Sequence, residues 1–290
     1  MSSFTQYLFA GLSNGAIYAL IAIGWVLIFN VSGVLNLAQG ELLMVGGLTF
    51  AWLAAETDMP VIAGIVLAIG ASVGVAVVLD VVAVRRVKSP EVVPVILVTL
   101  GASFVLRELG RIVFGADALR HGYLIDGDPI MIFGAALLPQ AVLTWVIVGV
   151  VVGLLALFFR RTVFGKAMVA CSDDPVGAQA SGISPSRMRT IAFGISGALA
   201  GLGGVLIISL TSLSWDGGTM IGLKGFIAAV FGGLGRYEGA VAGGLALGML
   251  EAFGAGYVSS AYKDVFSLGL LVVLLLLRPQ GLLGGRVVTT

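Results

Sequence analysis

Few side chains in this 290-residue sequence could do chemistry, and their spacing narrows which chemistry that is. There is one histidine, His121, and one cysteine, Cys171. One thiol cannot close an intrachain disulfide, and a lone His and Cys do not make the usual zinc-type ligand set. The polar clusters supply no nucleophile with a base beside it, so an integral membrane enzyme is a distant reading. What remains is a handful of polar residues set into apolar sequence. In Gly33-Val-Leu-Asn36-Leu-Ala-Gln39-Gly40-Glu41-Leu-Leu-Met-Val-Gly46-Gly47, two amides and a carboxylate border an apolar run. A charge at membrane depth costs about 2.5–3.5 kcal/mol on insertion scales, so Glu41 there must face protein or a water-filled path. The alternative is that Glu41 is the first-turn acid of a helix starting near Gln39, where the helix dipole favours it.

A second segment, from Gly222 through Lys224 and Gly225 to Gly232-Gly233-Leu234, has a similar outline once one gap is allowed. Two interrupted segments in the two halves of a transporter point to a path built on helix breaks. Glu251 lies in the middle of an apolar stretch with no basic residue within a turn, so it needs a partner on another helix or a proton. Arg107, Glu108 and Arg111 read as an interfacial ion-pair cluster, with Glu108 and Arg111 at i, i+3. In 160–189, Asp173 and Asp174 precede Pro175 as an N-cap precedes a first-turn proline, and Gly182 is placed as a helix stop. This predicts a helix of about two turns over 175–181, followed by a second start signal at Ser184-Pro185. Such a capped helix has the form of a docking surface for a soluble partner; it could equally be a connecting turn.

The elements that must position these residues are membrane spans. The AVILMFWYC set makes up 59% of the chain and charged residues only 11%, too few to cover a water-facing surface. Residues 1–40 carry no Asp, Glu, Lys or Arg, and further uncharged runs occupy 59–79, 129–159 and 190–215. The expected fold is all-α, a polytopic helix bundle of eight or nine spans near 8–30, 37–55, 60–82, 92–114, 138–159, 190–212, 219–235, 239–258 and 262–278. The second and seventh, weak in apolar length or rich in glycine, are expected to be broken or re-entrant. At about 20 residues per span, roughly 110–130 residues remain, too few for a second domain. The start lacks the basic segment of a cleaved signal peptide and is read as a retained span.

Basic residues gather at 83–91, 160–189 and the tail, with Arg85, Arg86, Lys88, Arg160, Arg161, Lys166, Arg187, Arg189, Arg278 and Arg286. These segments are expected to face the cytoplasm, and the acidic 56–58 and 115–128 to face outward. The side of the N-terminus depends on whether 37–55 crosses or returns. A net charge of +1 gives no field for nucleic acid. Small residues recur four apart at Gly11/Gly15, Gly70/Gly74, Gly149/Gly153, Gly197/Gly201, Gly239/Gly243 and Gly244/Gly248, spacing that lets helices approach closely.

Several separated motifs then carry a resemblance: Asn14-Gly15-Ala-Ile-Tyr18 through Gly24, Asn36-Leu-Ala-Gln39-Gly40-Glu41, Gly165-Lys166-Ala167 with Asp173-Asp174, Ala178 and Gly182-Ile183, and Ala228 through Gly232-Gly233-Leu-Gly235 to Gly243-Gly244. From about residue 8 to 283 the chain resembles the LivH-type permeases of branched-chain amino acid ABC importers. It departs from the family at Gln39, where a histidine is usual. The resemblance implies a multi-pass subunit of a bacterial inner membrane that works with a second, homologous LivM-like permease, two ATPase subunits and a periplasmic substrate-binding protein. From the polar residues set into apolar runs, a substrate path is expected to involve Asn14, Asn36, Gln39, Gly40, Glu41, Lys224, Gly225 and Glu251. The resemblance also implies an ATPase-coupling loop with Arg161, Gly165, Lys166, Asp173, Asp174, Pro175, Ala178 and Gly182. No G-x-x-x-x-G-K-[ST] loop is present, since Ala167 follows Gly165-Lys166. ATP and Mg are therefore expected on the partner ATPases, with no cofactor on this chain. An ion-coupled secondary transporter is the alternative from another class.

Overall fold

The uncharged N-terminal run folds as one helix, α1 (Ser2–Ser32), in a computed structural model that describes residues 2–87, 92–125 and 127–277. The positions Lys88, Asp126, Arg278 and Arg286 lie outside the described residues. At 1.5 Å per residue a helix of this length is about 46 Å long, more than a hydrocarbon core requires. Most of it is buried, which makes α1 the centre of the bundle. Against it run α10 (Tyr237–Tyr257) and α8 (Pro185–Ile208), with α2 (Gln39–Glu56) and α9 (Gly217–Gly232) filling the remaining sides. Around this centre stand α3 (Val61–Val78), α4 (Val92–Phe114) and α5 (Pro139–Arg161), and α11 (Lys263–Leu277) packs on α10. Only 11% of the most apolar window of α5 is buried, and Val146, Val150, Leu154 and Leu157 point outward. An apolar exterior of this kind belongs in lipid. The chain is thus an all-α, polytopic membrane bundle, its β structure among the described residues a hairpin of Ile130–Ile132 and Ala135–Leu137 and one isolated bridge.

Among the described residues, six helices are long and apolar enough to cross a membrane, against the eight or nine spans expected. The other three expected spans are α2, α9 and α11, with 18, 16 and 15 described residues. The break expected in the second span precedes α2: residues 33–38 are non-helical and lie beside the interior of the bundle. Their backbone is satisfied locally, as membrane depth requires. Asn36 Oδ1 accepts from the Ala38 amide, and Thr99 Oγ1 on α4 accepts from the Leu37 amide and donates to the Leu35 carbonyl. The seventh segment differs from expectation. Helix α9 runs unbroken through Lys224-Gly225, and its break comes afterwards at Gly233 (φ +101°) and Gly235 (φ +109°).

Glycines set how closely these helices pack. A Cβ on Gly248 would lie 2.3 Å from the Gly15 amide nitrogen and 2.4 Å from the Gly11 carbonyl oxygen. One on Gly244 would lie 2.5 Å from the Ala19 nitrogen. Helices α1 and α10 therefore touch backbone to backbone. Gly197/Gly201 do the same against Ser72 on α3, and Gly239/Gly243 against Gly232 and Ala228 on α9. The pairs Gly70/Gly74 and Gly149/Gly153 meet nothing within 4 Å.

The two ends of α1 lie at opposite ends of the bundle. The end of α1 shares a hollow with Cys171, Pro175, Ser186 and Arg189, while Arg85 bonds Thr190 near the start of α8. The start of α1 lies at the opposite end, where Gln6 and Tyr7 bond Ala136 and Gly256. Residue 2 therefore sits across the bundle from the basic face.

Candidate functional site

The polar residues expected to matter fall into three buried groups and one surface segment. The first group locks the irregular entry to α2. Gln39 Oε1 accepts from Ser196 Oγ on α8 at 2.9 Å, its Nε2 donates to the Ser196 carbonyl at 3.4 Å, and Asn36 Nδ2 donates to Gln39 Oε1 at 3.4 Å. Ser196 also donates to the Gly24 carbonyl of α1. Asn36 and Gln39 are fully buried and satisfied, so they join α1, α2 and α8 at a point where backbone would otherwise be unpaired.

The second group surrounds Glu41. It is a first-turn acid of α2, as one sequence reading had it, and it is also wholly buried, as the other required. Its Oε1 accepts from Ser103 Oγ (2.8 Å) and Thr219 Oγ1 (2.8 Å), and pairs with Arg107 at 3.3 Å. Thr219 lies in the first turn of α9, so the positive ends of two helices flank one carboxylate. The crossing is made by glycine: a Cβ on Gly40 would meet the Gly218 carbonyl oxygen at 2.1 Å and Gly222 Cα at 3.0 Å. Gly40 thus contributes closeness rather than a ligand. Arg107 departs from the interfacial cluster expected of it, because it reaches inward to Glu41 and Thr219 while Glu108 and Arg111 pair with each other at 2.8 Å.

The third group answers the question posed by Glu251. Its partners are on other helices: Lys224 Nζ on α9 at 2.9 Å, Tyr18 OH on α1 donating at 2.7 Å, and Ser267 Oγ on α11. Lys224 has a second partner, Asp264 at 2.8 Å, and Lys263 Nζ lies 3.9 Å from Glu251. Two cations and two carboxylates make the group neutral, which is how buried charge is tolerated. Gly225 lets α9 close on α1, its Cβ position lying 2.4 Å from an Ile21 methyl. Asn14 belongs to none of these groups and lines a shallow hollow with Phe9, Ala136 and Ala141.

On the basic face, 160–189 is more helical than the sequence reading had it. An unforeseen helix, α6 (Val163–Asp173), precedes α7 (Pro175–Ala180). Asp174 caps α7, its Oδ1 accepting from the Val176 and Gly177 amides at 3.0 Å, while Asp173 closes α6. Gly182 (φ +83°) ends α7 in the left-handed region, with its amide on the Gln179 carbonyl and that of Ile183 on Ala178. Arg161, Lys166, Asp173, Asp174 and Pro175 are exposed beside Val163, Phe164 and Val176, whereas Gly165 and Ala178 are buried. Gly165 seats α6 on α5, since a Cβ there would stand 2.3 Å from the Phe158 carbonyl oxygen. Cys171, in the same helix, is buried, and burial pushes its thiol up.

The sequence reading missed Asp80. It sits in a π-helical turn (Leu79–Ala83) at the end of α3, is wholly buried, and pairs with Arg189 at 2.7 Å, with Thr190 also donating to it. This ties α3 to the start of α8, which follows α7 in the chain. A signal existed: one acid in a run whose only other charges are basic. For Ser103, Thr219 and Ser267 none existed, because hydroxyls are ordinary in helices, and Tyr18 stood only within a motif of the family resemblance. Among the described residues, no three His, Cys, Asp or Glu side chains are grouped to hold a metal.

Comparison with known proteins identifies the family. Residues 7–275 match the family model described as branched-chain amino acid transport system / permease component. The chain is similar to the high-affinity branched-chain amino acid transport system permease protein LivH of Escherichia coli, 32% identical over 97% of this chain and 96% of LivH. It has the same identity and coverage with the permease protein BraD of Pseudomonas aeruginosa. Among solved structures, PsaBC from Streptococcus pneumoniae in complex with Fab matches with a TM-score of 0.56 and 13% identity, covering 94% of this chain and 92% of that one, which is a likeness of fold. With buried ion pairs inside an apolar bundle and similarity along nearly its whole length, the chain belongs to the family of permease components of branched-chain amino acid transport systems.

Proposed function

We propose that this chain is the permease subunit of an ATP-driven importer that moves branched-chain amino acids inward across a bacterial inner membrane by alternating access. The observation that carries the reading is whole-length similarity to LivH and BraD, permease proteins of high-affinity branched-chain amino acid transport systems. As a transport subunit the chain has no enzymatic role of its own; its ATP and Mg sit on two partner ATPases, and it holds no cofactor. A second, LivM-like permease and a periplasmic binding protein complete the assembly. The basic face is cytoplasmic by the positive-inside rule, so the N-terminus is outside. Nine crossings make one transmembrane permease domain spanning 1–290, with α2, α9 and α11 as passages whose short helices are enclosed by protein. The path follows the buried groups on α2, α9 and α10, where Asn36 and Gln39 hold the entry to α2 against α8, Glu41 supports one end of α9 through Thr219, and Lys224 and Glu251 hold its middle; Asn14, Gly40 and Gly225 act at its edge.

ATPase-driven motion enters through 160–189. Val163, Phe164 and Val176 offer an apolar contact ringed by Arg161, Lys166, Asp173 and Asp174, the mixture that suits a protein partner. Gly165, Pro175, Ala178 and Gly182 fix its shape. The test is co-purification of the ATPases with Asp173→Lys/Asp174→Lys and with Gly182→Pro, alongside leucine uptake. Both variants are expected to lose at least tenfold in bound ATPase and in uptake while still reaching the membrane. Normal docking and transport in both would remove 160–189 from the mechanism.

A further inference from the structure

The group around Lys224 holds a contrast that packing alone does not explain. Glu251 is wholly buried, with Tyr18, Ser267 and Lys224 on its oxygens. Asp264, the other partner of Lys224, is 52% exposed. Glu251 stands six residues before the end of α10, about 9 Å along its axis, and Tyr18 is near the middle of α1. Asp264 is in the first turn of α11, where the positive helix end favours an acid, and an exposed carboxylate on an apolar bundle needs water or another protein surface beside it. One carboxylate thus anchors the lysine from within, and a second pairs with it from the open side.

We propose that the Lys224–Asp264 pair is where the permease receives the zwitterionic head of an α-amino acid. This rests on the importer reading above and adds the recognition chemistry. When the pair opens, Lys224 takes the substrate carboxylate and Asp264 takes its ammonium, while Glu251 keeps Lys224 in place. The ligand class follows from charge. A neutral group of two cations and two anions stays neutral only if the entering molecule is itself neutral, and the separated charges stay paired only if that molecule carries both signs. A carboxylic acid without the amine leaves Asp264 unpaired, an amine without the carboxylate leaves Lys224 half-paired, and a sugar satisfies neither.

The test uses the complete importer in nanodiscs without its binding protein, which would otherwise select the solute first. Radiolabelled leucine is bound and challenged with unlabelled leucine, 4-methylpentanoate (carboxylate only) and 3-methylbutylamine (ammonium only). The wild type is expected to need at least about tenfold more of either analogue than of leucine. Asp264→Asn should weaken leucine at least about tenfold while leaving competition by 4-methylpentanoate unchanged, and Asp264→Glu should retain leucine binding. Analogues that compete as well as leucine, no leucine binding by the wild type, or unaltered binding in Asp264→Asn would each overturn the site. If Asp264→Asn fails to assemble, the wild-type competition decides. Failure of the importer reading is separate: it would be an absence of leucine uptake by the wild-type assembly with its binding protein present.

Discussion

Arg107 and Arg111 stand one turn apart on α4 and meet different surroundings. Arg107 turns inward to a carboxylate with 1% side-chain exposure, whereas Arg111 and Glu108 are both about half exposed. Removing one member of a buried pair leaves the other charge uncompensated, at a cost of about 3–5 kcal/mol. Removing one member of an exposed pair costs about 1 kcal/mol at most. Arg107→Ala should therefore lower the thermal unfolding midpoint of the detergent-purified chain well below that of Arg111→Ala; equal midpoints would place Glu41 in contact with water. At this scale the sequence was legible where the physics is local. Asp174, Pro175 and Gly182 announced α7 because a cap, a first-turn proline and a left-handed stop act within a few residues. The hydrogen-bond partners of Glu41 and Glu251 all lie on other helices, 16 to 233 positions away, so only the need for a partner could be read.

Helix contacts in this bundle are chosen by the absence of side chains. Four of the six small-residue pairs noted in the sequence seat one backbone on another, and two, Gly70/Gly74 and Gly149/Gly153, face open space within this chain. Gly248→Ala should accordingly push α1 from α10, with a loss of about 1–3 kcal/mol or more read as a lowered unfolding midpoint, because a methyl 2.3 Å from backbone cannot be absorbed by a rotamer change. Gly149→Ala should leave the midpoint unchanged. Spacing alone made all six pairs look alike; which of them pack depends on the rotation of each helix toward its neighbour. The same limit applies to the broken segments. The break before α2 was legible as polar residues entering an apolar run, while the similar outline around Lys224 concealed an intact helix, because Lys224 is stabilised by Glu251 rather than by a helix end.

At the scale of the molecule, polar chemistry is scarce and sorted. Buried charges join α1, α2, α9 and α10 in the interior, Asp80 joins α3 to α8 near the basic face, and exposed α6 and α7 lie on that face. The chain thus has paired charges in its interior and an exposed apolar and charged surface on α6 and α7, and α8 touches both regions through Ser196 and Arg189. The most direct test of this division is uptake of labelled leucine by proteoliposomes holding the chain with its permease partner, ATPases and binding protein. Accumulation is expected only when ATP is present on the ATPase side, and to be abolished when the ATPases are omitted. Leucine accumulation without ATP, driven by an ion gradient through this chain, would contradict the account.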